Sequence, residues 1–113
     1  MPRASKKERS IDLYEHIVKL ETVEECLRFF EDICAVTELR AMEQRFDVAK
    51  MLHAGNVYTA ILRETGASSA TVSRVNRFLN YGTGAVAEVM DRVAEEKGKA
   101  RSPQVESSEE TEP

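Results

Sequence analysis

Apolar residues recur along this chain at intervals of three and four, the spacing of one face of an α-helix. Ile11, Tyr14, Ile17 and Val18 form the first stripe, and Ser10 before them predicts a capped helix running to about Leu20. Thr22 and Glu25 have the spacing of a capping box and open a second helix. Its stripe is wide: Val23, Cys26, Leu27, Phe30, Ile33 and Cys34. Thr37 is the expected cap of a third and longest helix, with Leu39, Met42, Phe46, Ala49 and Leu52 as its core face and Gly55 as its stop. Two shorter helices follow between Val57 and Asn80. After Gly82, Thr83 and Gly84 a last stripe contains Val86, Val89, Met90 and Val93. The pattern predicts an all-α fold of about six helices. The broad apolar face of the second helix needs a partner, which in a chain of 113 residues can come from a second subunit.

The stretch from Val57 to Asn80 organises the rest. Gly66 follows a helix-length segment, where a glycine can take positive φ. Ser68 or Ser69 can cap the next helix. Val72, Val75 and Leu79 fall on one face of that helix, and Ile61 on the helix before can pack against them. Ser68, Ser69, Ala70, Ser73, Arg74 and Arg77 are left on or near the other side. Between Gly66 and Gly82 there are two arginines and no acid. This is the pattern of a helix-turn-helix whose second helix enters a DNA groove. Free amides at the helix N-terminus suit a phosphate. Small side chains there allow close approach to base edges, and arginine offers a two-pronged contact to guanine or binds phosphate. The competing reading is a plain helical hairpin with two surface arginines.

Charge changes the picture locally. The chain carries a net charge of −4, so its overall field does not steer it to nucleic acid. Arg3, Lys6, Lys7 and Arg9 against Glu8 give the first nine residues +3, and residues 1–9 are read as a basic flexible arm. From Gly98 to Pro113 the chain is rich in Ser, Glu and Pro without apolar period and is read as a disordered acidic tail. Residues 10–97 make the helical domain. No run has the length of a membrane span and no signal peptide is visible, so the expected location is cytoplasmic.

Chemistry beyond binding finds little support. Cys26 and Cys34 lie about 12 Å apart along one helix at 1.5 Å per residue, too far for a disulfide. With His16 and His53 they give no zinc spacing. No catalytic constellation emerges, and an enzyme is not expected. Arg45 lies close to the core face of the third helix, where it either lies flat with its head in water or binds something.

The residues LRAMEQRFDVAKML and ETGASSATVSRVNRFLNYG resemble the Trp-repressor superfamily, and more closely its Trp-repressor-like branch of the YerC/YecD type. The resemblance covers about Leu20 to Val93. It implies an intertwined all-helical homodimer that acts as a transcriptional regulator on double-stranded DNA, with repression as the expected sense. By position it assigns DNA contact to Ser68, Ser69, Ala70, Thr71 and Ser73. It also assigns Arg45 and Arg74 to the two arginines that sandwich bound L-tryptophan in the Trp repressor. Val75 and Phe78 stand where that protein has a glycine and a serine, which predicts a pocket filled by protein or a different small effector. No other cofactor is expected. The alternative function is a helical dimer acting as a protein-interaction module without DNA binding.

Overall fold

The computed structural model describes residues 8–111, with side chains through Lys99. The expected basic arm falls mostly outside the described residues. Six helices and no strand are found among them: α1 Ile11–Ile17, α2 Val23–Ile33, α3 Val36–His53, α4 Tyr58–Thr65, α5 Ser69–Tyr81 and α6 Ala85–Thr111. The chain divides into two units, Met1–Arg40 and Ala41–Pro113.

In the first unit the helix starts follow from local chemistry. The Leu13 amide donates to Ser10 Oγ at 3.4 Å. The Glu25 amide donates to Thr22 Oγ1 at 3.0 Å, and Glu25 Oε1 accepts from the Glu21 amide at 2.8 Å. Free amides at the start of α2 are thereby satisfied from both sides. α1 ends at Ile17, short of the expected Leu20. α3 also starts differently. Thr37 is inside the helix, and the chain enters it through Ala35, whose amide donates to Glu38 Oε1 at 2.7 Å. A carboxylate reaching back across one turn replaces the hydroxyl cap. Phe29 and Phe30 meet edge to face with centroids 5.3 Å apart. Even so, α2 has no buried residue: Val23 is 77%, Leu27 53% and Ile33 57% exposed.

The core lies in the second unit. Val48, Ala49, Ile61, Ala67, Val72 and Val75 are buried, and Met51, Leu52, Leu62, Phe78, Leu79, Val86 and Met90 pack against them. This corrects the expected face of α3. Ala49, fully buried, and Leu52 do face the core, but Met42 and Phe46 are 40% and 49% exposed, and the other fully buried residue is Val48. At 3.6 residues per turn Val48 is about 160° around the helix from Phe46. α3 therefore carries apolar side chains on two sides, of which the second unit covers one.

α6 is joined to α3 by a hydrogen bond of 2.8 Å between His53 Nε2 and Asp91 Oδ1. Its backbone continues as helix past Gly98 to Thr111, where the sequence predicts a disordered tail.

Candidate nucleic-acid interface

α4, the turn and α5 form a helix-turn-helix whose geometry follows from a few residues. α4 ends at Gly66, with φ 70° and ψ 8°, in the left-handed region that favours glycine. The Gly66 amide donates to the Leu62 carbonyl at 3.0 Å. Thr65 closes the turn from its side: its hydroxyl donates to the Ile61 carbonyl at 2.7 Å and accepts from the Ala67 amide at 3.1 Å. Ala67 is 7% exposed and tucks under the turn. Ser68 takes extended backbone and caps α5, its Oγ accepting from the Thr71 amide at 3.1 Å. Of the two serines the sequence left open, Ser68 is the cap, and Ser69 opens the helix.

α5 divides sharply between two environments. Val72 and Val75 are fully buried against Ile61 and α3 residues of the core. Ser69, Ala70, Ser73, Arg74 and Arg77 are exposed, and Thr71 is half-buried with its hydroxyl 3.1 Å from Ser68 Oγ. The first turn holds no acid. Arg74 and Arg77 make no ion pair among the described residues. The sequence-predicted residues Ser68, Ser69, Ala70, Thr71, Ser73, Arg74 and Arg77 thus lie along one helix, small residues at its N-terminal end and the two guanidinium groups one turn apart beyond them. Such an element presents free amides, hydroxyls and two cations to one side, which is the equipment for phosphate and base-edge contacts.

Arg45 and Arg74 also meet. They line a groove of about 190 Å³ between α3 and α5, together with Ala41, Gln44, Ala70 and Thr71. Val75 and Phe78 do not line it. Val75 is fully buried in the core and Phe78 packs against that core, so their added bulk is absorbed there. Gln44, which no sequence pattern singles out, is half-buried in this groove, and its Nε2 donates to the Thr65 carbonyl at 3.2 Å. No short-range pattern could have flagged it, because its partner is 21 positions away.

A second, larger groove of about 870 Å³ runs between α3 and α6. Phe46, Val86, Val89, Met90 and Val93 give it an apolar wall, and Lys50 and His53 lie at its polar margin.

Comparison with known proteins agrees with the all-helical fold. A curated relative, the uncharacterized protein YerC of Bacillus subtilis strain 168, is 48% identical over 90 residues, covering 80% of this chain and 86% of its own. The crystal structure of a candidate Trp repressor from Staphylococcus aureus superposes with a TM-score of 0.73 at 43% identity, covering 76% of this chain and 89% of the other. That of a TrpR-like protein from Eubacterium eligens ATCC 27750 gives 0.72 at 44% identity, covering 74% and 87%. The family model described as Trp repressor protein matches residues 10–94, and this chain therefore belongs to the Trp repressor family.

Proposed function

We infer that this protein is a sequence-specific DNA-binding transcriptional regulator, a repressor that acts as a homodimer in the cytoplasm. The carrying observation is the division of α5. Its Val72 and Val75 are fully buried, while Ser69, Ala70, Ser73, Arg74 and Arg77 face outward in a segment without acids. Ser68 and the first turn of α5 approach phosphate and base edges in the major groove. Arg77 binds backbone phosphate, and Arg74 is shared between DNA and the groove beside Arg45.

The dimer is supported by apolar surface that one chain leaves uncovered. Val23, Leu27 and Ile33 on α2, Phe46 on α3 and Val89 and Val93 on α6 are each more than 40% exposed. Covering such residues removes apolar area from water at roughly 25 cal/mol per Å², which favours association. A two-fold dimer would present two copies of α5 to half-sites about 34 Å apart.

The groove between Arg45 and Arg74 is open to a small effector that carries a carboxylate, such as L-tryptophan. Val75, buried in the core, and Phe78, packed against it, let α5 hold its place without one. A second reading, a helical dimer that binds protein partners alone, draws on the net charge of −4 and the apolar groove between α3 and α6.

Selection of bound fragments from a random duplex pool, with and without L-tryptophan, separates these readings. A DNA-binding dimer enriches a two-fold related motif and loses affinity steeply with salt. Absence of enrichment, with no salt-dependent binding to random duplex, leaves the protein-partner reading.

A further inference from the structure

We propose that Gln44 is a positioning residue that fixes the seating of α5 for sequence-specific docking. The inference rests on the DNA-binding reading and names what holds that site in register. The last carbonyls of α4 have no partner within the helix. Gly66 satisfies the Leu62 carbonyl, and the Thr65 carbonyl receives the side-chain amide of Gln44 from α3 at 3.2 Å. Thr65 is itself the hub of the turn. Its hydroxyl links the Ile61 carbonyl to the Ala67 amide, one residue before the Ser68 cap. A single side chain on the long α3 therefore grips the residue from which the direction of α5 is set.

Gln44 and Thr65 are both partly buried, so water competes weakly for their hydrogen bond. Gln44 also lines the groove beside Arg45, Ala70, Thr71 and Arg74. It bonds the end of α4 while bordering the same groove as the start of α5. Base readout depends on the placement of a few side chains, whereas contact with phosphates tolerates small rotations of the helix. Loss of the grip should thus weaken specific binding more than non-specific binding.

The test is Gln44→Met, which keeps length and removes the donor, alongside Gln44→Asn, which keeps the amide on a shorter stem. Two readouts are used on the full chain. Hydrogen exchange of the unbound protein reports the turn amides Gly66–Ser69. Fluorescence titration compares the duplex selected by the wild-type protein with random-sequence duplex of equal length. For Gln44→Met, exchange at the turn speeds up about fivefold to tenfold, the net worth of one hydrogen bond. Affinity for the selected duplex falls by a similar factor. Affinity for random duplex and its salt slope stay as in the wild type, and Gln44→Asn falls between the two proteins.

Unchanged exchange overturns the grip whatever the DNA results. Faster exchange with equal losses on both duplexes overturns the positioning role and leaves only stability. If the wild-type protein selects no duplex, the DNA-binding reading fails and the positioning role fails with it, while the exchange result still reports the grip separately.

Discussion

Ser68 carries two separable duties, and one substitution should split them. Its hydroxyl accepts from the Thr71 amide at 3.1 Å and so caps α5. It is also exposed at the end of the helix that is proposed to meet DNA. Ser68→Ala removes the acceptor, which costs about 1 kcal/mol. For a domain of this size that lowers Tm by roughly 4–8 °C. Ser68→Asp keeps an acceptor in the same place. It adds a negative charge to a helix N-terminus whose first turn has no acid, a gain of about 0.3–1 kcal/mol. Its melting temperature should equal or exceed that of the wild type. Against DNA the same charge is repelled. A phosphate about 5 Å away opposes it by roughly 1 kcal/mol at the dielectric of water and roughly 3 kcal/mol at an effective value of 20. Affinity then falls between about fourfold and a few hundredfold. Thermal melting followed by circular dichroism and fluorescence titration with the selected duplex give both quantities. Ser68→Asp with wild-type affinity would refute docking through this helix end. Ser68→Asp melting as low as Ser68→Ala would refute the capping argument.

Other perturbations test the scaffold. Ile61 of α4 is fully buried in the core with Val72 and Val75 of α5, so Ile61→Ala should cost about 2–5 kcal/mol in urea denaturation. A Cβ at Gly82 would run into the Phe78 carbonyl oxygen, which is backbone and cannot rotate away. Gly82→Ala should therefore lower Tm, whereas Gly98→Ala, at a mid-helix position where an added Cβ meets no described atom within 4 Å, should raise helicity. Phe46→Glu places a charge on the apolar wall of the α3–α6 groove and should shift the proposed dimer toward monomer in sedimentation velocity; an unchanged dimer would mean that the second copy docks elsewhere.

The parts of this fold that could be read from sequence are those decided within one helical turn. The caps Ser10 and Thr22 and the left-handed Gly66 depend on neighbours three or four residues away, and each is found in place. Thr37 misled because a competing local option, Glu38 reaching back to the Ala35 amide, is equally short-range and starts the helix earlier. Gln44 could not be read at all, since its partner belongs to another helix.

The apolar stripes show a deeper limit. A stripe reports that a face will be covered without reporting what covers it. On α5 the cover is in the same chain, and Val72 and Val75 are fully buried; on α2 the same periodicity leaves Val23 77% exposed. α3 combines both cases on one helix, with Val48 fully buried on one side and Phe46 49% exposed on the other. The periodicity alone merges these two sides into one predicted core face. An uncovered stripe as regular as a covered one is what the proposed dimer would cover. By that argument Phe46, Val89 and Val93 should protect one another from solvent only after association. Solvent exclusion at these side chains should then rise with protein concentration, while Val72 and Val75 stay buried at every dilution at which the chain is folded.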